Sequence, residues 1–278
     1  MRPALIVRRA ADYLSRHDVE SPVPTAEILL AKVLGTDRAG LYTRNEGLST
    51  AESKRFGRAL CRRCVGVPLQ HLTGEQGFRR LSLIVKPGVF IPRPETEILV
   101  ERALAAIADV PQPVVVDVGT GTGAVALAIK DERSDARVLA IDVSSDAIAL
   151  TRENAVRSNL HVEVVMGDLL DHVPFALRGG VDLVVSNPPY VEEHELADLS
   201  REVRADPITA LAGGVPLFER LFVQASEVLR PGGAVVVEIG ETQGAEIRAA
   251  VTRAGFVAVE VDPDLAGRDR VVTARMLA

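Results

Sequence analysis

The strongest constraint on this 278-residue chain is a short run near its middle, PVVVDVGTGTG, from Pro113 to Gly123. Consecutive β-branched residues without polar alternation predict a strand buried on both faces. The glycines that follow at every second position predict a turn tight enough for the backbone to approach a ligand, because glycine takes positive φ freely and has no Cβ in the way. A strand buried on both faces needs parallel neighbours and covering helices, and the later sequence supplies them. Strands are predicted over 137–142, 162–168, 181–187 and 234–240, with helices over 124–130, 146–159, 216–229 and 242–254 between or after them. Two late strands follow near 256–261 and 270–276. The pattern is that of an α/β domain with a parallel sheet covered on both sides, and such sheets bind ligands at the carboxyl ends of their strands.

Residues ahead of this domain differ in pattern and in charge. Residues 1–77 carry 12 Lys/Arg against 8 Asp/Glu, a surplus of four cations, whereas residues 78–278 carry 20 against 30. Apolar residues in the first segment recur at helical spacing, for example Ile28, Leu29, Leu30 and Val33 after Pro24-Thr25, and Phe56, Leu60 and Val65 after Ser49-Thr50. A bundle of three to five helices is predicted, with Ser49 or Thr50 as an N-cap. Phe78 to Val85 then alternates as a half-buried strand does, and Pro87-Gly88 turns the chain. The expected division is a helical domain over 1–75, a β-hairpin linker over 76–88 and the α/β domain over 89–278.

The net charge of -6 argues against a dedicated nucleic-acid binder, since affinity for a polyanion comes from clustered cations. No apolar run reaches the ~18 to 20 residues that span a bilayer. The N-terminal MRPALIVRRAADYLSRHD carries charge through its apolar stretch and has no small-residue cleavage site, so a cytoplasmic protein without membrane contact is expected. Cys61 and Cys64 have C-x-x-C spacing but lie in a helical pattern with no second ligand pair, and the five histidines are scattered. No metal site is expected.

Three places in the α/β segment carry chemistry. The loop Gly119, Thr120, Gly121, Thr122, Gly123 precedes a helix whose first N–H groups suit an anionic group. Gly119, Gly121 and Ala124 also satisfy the dinucleotide spacing, so the loop alone leaves a nicotinamide cofactor open. Asp142 ends the second strand, 19 residues past Gly123. There it is a candidate acceptor for both ribose hydroxyls of an adenosine-type cofactor, or merely a cap on the turn at Ser144-Ser145. Asp168, at the next loop, is a candidate acceptor for an adenine amino group. The most specific run is Ser186-Asn187-Pro188-Pro189-Tyr190. Its prolines fix the backbone and remove two donors, leaving the Asn187 side-chain oxygen, the Pro188 carbonyl and an aromatic ring. Two acceptors beside a flat surface grip a planar NH2 group while its lone pair faces a methyl donor.

Together, Asp117 to Gly123, Asp142 and Asn187 to Tyr190 resemble a class I S-adenosylmethionine-dependent methyltransferase, of Rossmann-like fold, acting on an NH2 nitrogen. With GVFIPRPETEILVE (Gly88 to Glu101), the chain is similar to the PrmC (HemK) family of peptide chain release factor glutamine methyltransferases. VPLQHLTGEQGF (Val67 to Phe78), DPITALAGG (Asp206 to Gly214) and AGRDRVV (Ala266 to Val272) extend the likeness to nearly the whole length. The resemblance implies methyl transfer from S-adenosyl-L-methionine, leaving S-adenosyl-L-homocysteine. The acceptor it implies is the glutamine side-chain amide in the Gly-Gly-Gln motif of class 1 release factors, a reaction that tunes translation termination. It makes the helical head a substrate-recognition domain and residues 89–278 the methyltransferase domain. It places the cofactor on Gly119 to Gly123 and Asp142, with adenine near Asp168 and Leu169. It places the substrate glutamine on Asn187, Pro188, Pro189 and Tyr190, with Asn187 also beside the cofactor and with Asn187, Pro188 and Tyr190 as the catalytic set. Two departures stand out: Leu169 occupies a position that is aromatic in many members, and Val215-Pro216-Leu217 replaces the usual Asp-Gly-Leu after Gly213-Gly214.

An amide nitrogen is a poor nucleophile, and no His, Cys or Lys accompanies the motif, so no general base is expected. The nearest rival is a DNA or RNA methyltransferase acting on an adenine or cytosine amine, opposed by the acidic second segment. A nicotinamide oxidoreductase would leave Asn187 to Tyr190 without a role. A cofactor-binding accessory subunit is the non-enzymatic alternative. A monomer is expected.

Overall fold

A computed structural model describes residues 2–199 and 202–278. The chain divides into two compact units, residues 1–75 with 200–205, and residues 76–199 with 206–278.

The first unit is helical: α1 (Pro3–Ser15), α2 (Pro22–Leu34), α3 (Arg38–Thr43), α4 (Thr50–Cys64) and α5 (Leu69–Thr73). Pro3 and Pro22 sit in first turns, where a missing N–H costs nothing. Val7, Ala10, Ala11 and Leu14 form one face of α1 and meet Ala26, Leu29 and Leu30 of α2, Leu41 and Phe56 in a single core. Ser49 caps α4 as expected: its hydroxyl accepts from the Glu52 N–H at 3.2 Å while Glu52 accepts from the Ser49 N–H at 2.6 Å. Cys61 and Cys64 are free thiols on the last turns of α4.

In the second unit, strands β1 (Glu75–Phe78) and β2 (Leu81–Ile84) form the expected hairpin, but the chain reverses earlier than predicted. The single strand expected over 78–85 is broken at Arg79, whose φ is +49°. Its N–H donates to Glu97 at 2.9 Å and its guanidinium grips Glu132, so a charged clamp rather than a glycine makes this turn. Pro87-Gly88 turns the chain again, with Gly88 at φ +92°. A helix that the pattern analysis did not resolve follows, α6 (Thr96–Ala106).

The predicted alternation then unfolds as β3 (Val114–Val118), α7 (Ala124–Glu132), β4 (Arg137–Asp142), α8 (Ser145–Ser158), β5 (Glu163–Met166), β6 (Val181–Ser186), α9 (Val215–Val228), β7 (Leu229–Glu238), α10 (Gly244–Arg253), β8 (Phe256–Pro263) and β9 (Asp269–Met276). The seven-stranded sheet has the order β5-β4-β3-β6-β7-β9-β8. Its first five strands are parallel, and β9 runs antiparallel to both β7 and β8. The short link from Pro263 to Asp269 permits only a hairpin, since a parallel return needs a crossover.

Both faces are covered. On one, Val116, Val184 and Val235 pack with Phe218, Phe222, Ile247 and Phe256; on the other, Val115, Leu183 and Val236 pack with Leu99, Ala103, Leu127 and Ile129. Val115 and Val116 are both fully buried, which is why the strand reads as continuously apolar, and each contributes roughly 1.5–3 kcal/mol by leaving water. Among the described residues, no helix is long and apolar enough to cross a membrane. The strand order reverses at β3, which has β4 on one side and β6 on the other. A crevice therefore opens at the carboxyl ends of β3 and β6.

Candidate active site

The glycine loop leaves β3 at one side of this crevice. Gly119, Gly121 and Gly123 have φ of +71°, +57° and +84°, a conformation that disfavours any other residue. The N–H groups of Gly119 and Thr120 both donate to the Ile141 carbonyl, at 2.8 and 3.0 Å, tying the loop to the end of β4. Behind it lies Asp117, only 1% exposed, whose Oδ2 accepts from the Thr120 hydroxyl at 2.6 Å and from the Ala126 N–H at 3.1 Å. Burial pushes its carboxyl up to about 7 against these two bonds, with Asp142 nearby adding to the rise. From α8, Thr151 donates to the Gly121 carbonyl at 3.0 Å, and buried Asn154 donates to the Thr122 carbonyl at 2.9 Å. Asn154 also bonds both main-chain groups of Ile84, so one side chain ties the β-hairpin to the loop.

Asp142 ends β4 half-buried. Its oxygens accept from the Gly121 and Ser144 N–H groups, each at 2.9 Å, so it caps the Ser144 turn, and each carboxylate oxygen has the capacity to accept more than one hydrogen bond. Desolvation raises its carboxyl and those main-chain bonds oppose the rise. Asp168, past the end of β5, pairs with Arg220 at 2.7 Å on the surface. Leu169 has φ +50° and packs into the apolar cluster beneath α9.

The second loop leaves β6. Pro188 is buried and Asn187, Pro189 and Tyr190 are half-buried. The Asn187 carbonyl lies beside Gly119, 4.0 Å from where a Cβ would stand, so the two loops adjoin. The Asn187 Nδ2 donates to Thr96 Oγ1 at 3.1 Å, which turns its side-chain oxygen the other way. The Tyr190 carbonyl accepts from Gln243 at 2.9 Å, and its hydroxyl points at Glu238 Oε1, 3.5 Å away. Behind the loop runs the segment 206–214. Asp206 accepts from the Ile91 N–H at 3.2 Å and from Arg93, and Val191 exchanges main-chain bonds with Leu211 and Gly213. A Cβ on Gly213 would stand 2.2 Å from the Pro189 carbonyl oxygen, so only glycine permits this approach. The Val215-Pro216-Leu217 departure is absorbed as the first turn of α9, a position that suits proline.

Two family models match the chain, "PrmC N-terminal domain" over residues 6–74 and "Methyltransferase small domain" over 81–259. A release factor glutamine methyltransferase from Deinococcus radiodurans is 41% identical over 274 residues, covering 97% of both chains. One from Streptomyces coelicolor is 42% identical over 276 residues, covering 97% of this chain and 96% of that one. The chain belongs to the PrmC family of release factor glutamine methyltransferases. A solved ribosomal protein L11 methylase from Lactobacillus delbrueckii subsp. bulgaricus shares the fold, with 21% identity and a TM-score of 0.51 over 72% of this chain and 96% of that one.

As a member of this family the chain is an enzyme, and S-adenosylmethionine is its methyl donor. The residues present fit such a group. A Cβ on Gly119 or Gly121 would reach only van der Waals contact, at 4.0 Å with the Asn187 carbonyl and 3.9 Å with Val89, whereas one on Gly123 would press on Thr151 at 3.0 Å and Leu127 at 3.1 Å. The first two glycines border a cradle and the third packs the helix start.

The structure thus brings Gly119 to Gly123, Asp142 and Asn187 to Tyr190 to one crevice and puts Asp168 in an ion pair at its margin. Sequence reasoning included Asp117 in the glycine motif without giving it a role, and missed Thr151, Asn154, Thr96, Glu238 and Gln243. Asp117 and Glu238 did leave a signal, because each is a lone carboxylate in an apolar strand, VVVDV and AVVVE. Nothing local marks the other four.

Proposed function

We propose that this chain transfers the methyl group of S-adenosylmethionine to the side-chain amide nitrogen of the glutamine in the Gly-Gly-Gln motif of class 1 peptide chain release factors. In doing so it tunes translation termination. The observation that carries this reading is the adjacency of the Asn187 to Tyr190 loop and the glycine loop at the switch point between β3 and β6. It acts as a monomer in the cytoplasm and contacts the protein substrate rather than nucleic acid. Residues 1–75 recognise the substrate, 76–88 link, and 89–278 carry the reaction.

The bound cofactor supplies an electrophilic methyl group on a sulfonium. Gly119, Thr120, Gly121, Thr122 and Gly123 hold it through main-chain groups, and Asp142 accepts its ribose hydroxyls. Asp168 and Leu169 border the adenine, where the contact is aliphatic. The Asn187 side-chain oxygen and the Pro188 carbonyl each take one hydrogen of the glutamine NH2, while Pro189 and Tyr190 wall the amide plane. This fixes the nitrogen in line with the methyl group, an effect worth up to ~7 to 11 kcal/mol when near-attack geometry is enforced. As positive charge develops on nitrogen, the two acceptors stabilise its hydrogens. The proton leaves afterwards to solvent.

Labelled S-adenosylmethionine offered in parallel to a release factor, to its Gly-Gly-Gln→Gly-Gly-Ala form and to oligonucleotides tests the proposal. Label is expected in the unaltered factor alone. Label in the oligonucleotides would point to the rival nucleic-acid reaction, and label in the alanine form would remove glutamine as the acceptor.

A further inference from the structure

We propose that Asp206 and Arg93 form a clasp that aims the Pro188 carbonyl, and are therefore positioning residues for methyl transfer. The inference rests on the function proposed above, in which that carbonyl takes one hydrogen of the glutamine amide, and adds two residues to it.

In Pro188-Pro189 the rings fix both φ angles but leave ψ free to swing each carbonyl. The direction of the Pro188 carbonyl is therefore set by what holds the chain further on. Segment 206–214 does the holding, as a strap laid against the loop. The Val191 N–H donates to the Leu211 carbonyl at 2.9 Å, and the Gly213 N–H donates to the Val191 carbonyl at 3.2 Å. Gly213 also lies so close to Pro189 that a Cβ on it would stand 2.2 Å from the Pro189 carbonyl oxygen.

The strap needs an anchor at its start, and Asp206 is the residue at which the chain re-enters the α/β unit after residues 200–205. Its side chain is fully buried, and each carboxylate oxygen has one donor. Oδ1 accepts from the Ile91 N–H at 3.2 Å, and Oδ2 accepts from the Arg93 guanidinium. Arg93 in turn lies over the Phe90 ring, 5.2 Å from its centroid, so the same segment steadies the cation. A carboxylate taken out of water remains charged only where donors replace its hydration. Burial pushes the Asp206 carboxyl up, and Arg93 and the Ile91 N–H oppose the rise. Between Asp206 and Gly213 the main chain is tied to itself, Ala210 to Pro207 at 2.9 Å and Ala212 to Ile208 at 2.8 Å. The strap is thus one compact turn, and a shift at Asp206 carries through to Gly213 and Val191.

The test measures kcat, KM and cofactor Kd with a release factor as substrate, together with amide hydrogen exchange, for the wild type, Asp206→Asn, Arg93→Met and Arg93→Lys. Asp206→Asn keeps an oxygen for Ile91 but sets an NH2 against the Arg93 donors. Arg93→Met keeps the length and removes the charge. Each is expected to lower kcat by about tenfold to a hundredfold, the cost of a misplaced contact. Arg93 gives the carboxylate a single hydrogen bond, which an ammonium can replace, so Arg93→Lys should restore most of kcat. Cofactor Kd, by calorimetry, should stay within about twofold because neither side chain holds the glycine loop. Exchange in Asp206→Asn and Arg93→Met should quicken at Val191 and Gly213, which donate across the strap, and not at Gly119 and Thr120, which donate to Ile141. A general loss of packing would quicken all four. Unchanged kcat in Arg93→Met, unchanged exchange at Val191 and Gly213, or exchange that quickens equally at all four, overturns the proposal. If Asp206→Asn does not fold, the Arg93→Met and Arg93→Lys pair decides by itself. A wild type that leaves release-factor glutamine unmodified overturns the proposed function instead, and the exchange pattern still decides whether the clasp holds the loop.

Discussion

The two loops of the crevice draw on partners at different distances along the chain. The glycine loop after β3 is fixed by main-chain bonds to Ile141 and to the helix start and by the nearby side chains Asp117, Asp142, Thr151 and Asn154. The Asn187 to Tyr190 loop after β6 is held from more distant segments, by Thr96 at the Asn187 amide and by Gln243 at the Tyr190 carbonyl, with Glu238 beyond the Tyr190 hydroxyl. In the function proposed above, the first loop cradles the cofactor and the second presents a donor–acceptor pattern to the substrate amide. Each loop nevertheless backs onto one buried carboxylate, Asp117 or Glu238, raised to about 7.

The difference can be broken most sharply at Asn187. Asn187→Ala is expected to lower turnover by roughly 10²- to 10³-fold, the scale of losing one preorganised polar group at the reacting centre, while S-adenosylmethionine affinity changes far less. Radiolabel incorporation set against calorimetric binding checks this, and equal loss of both would place Asn187 on the cofactor side. Asp142→Ala should do the reverse. Cofactor Kd should rise about tenfold to a hundredfold, as expected for removing charge-assisted bonds of about 1.5–3 kcal/mol. The kcat at saturating cofactor should be largely kept.

The smallest effect concerns the buried carboxylates. Their folded pKa values lie above the ordinary 3.8 and 4.5, so the folded state retains protons that the unfolded chain releases. Their contribution to stability is complete below about pH 4 and is lost as pH rises through about 7. The melting temperature should therefore decline between pH 5 and 8. Asp117→Asn and Glu238→Gln should each flatten that decline, with shifts of about 2–4 °C for each kcal/mol involved. The carboxylates of exposed Asp135 and buried Asp264, held at about 2 by their partners, act in the opposite sense and only in acid, so they do not mask the effect. A melting temperature that rises with pH across this window would count against burial as the cause.

The legible parts of the sequence were those where one segment satisfies its own requirements. The strand 137–142 matches its predicted bounds, the Ser49–Glu52 capping box closes as its spacing demands, and the glycines at 119, 121 and 123 all take the positive φ their pattern implies. The hairpin turn at Arg79 was hidden because its cause, Glu97 and Glu132, lies 18 and 53 residues away. α6 was obscured by the two prolines just ahead of it, Pro92 and Pro94. Val181 to Ser186 was placed correctly as a strand, but nothing in it says that Thr96 and Glu238 would close on the residues that follow.

By itself, then, the sequence determined the alternating α/β order, the helical unit ahead of it, and the two motifs proposed to carry the chemistry, because hydrophobic period, glycine conformation and proline rigidity are local properties. Tertiary structure alone decided the order β5-β4-β3-β6-β7-β9-β8, which sets both motifs at one switch point. It also decided the partner of the Asn187 side chain, Thr96, which lies 91 residues before it. Hydrogen-bond direction at Asn187 depends on what faces its two amide ends, and only the packed sheet brings those groups together.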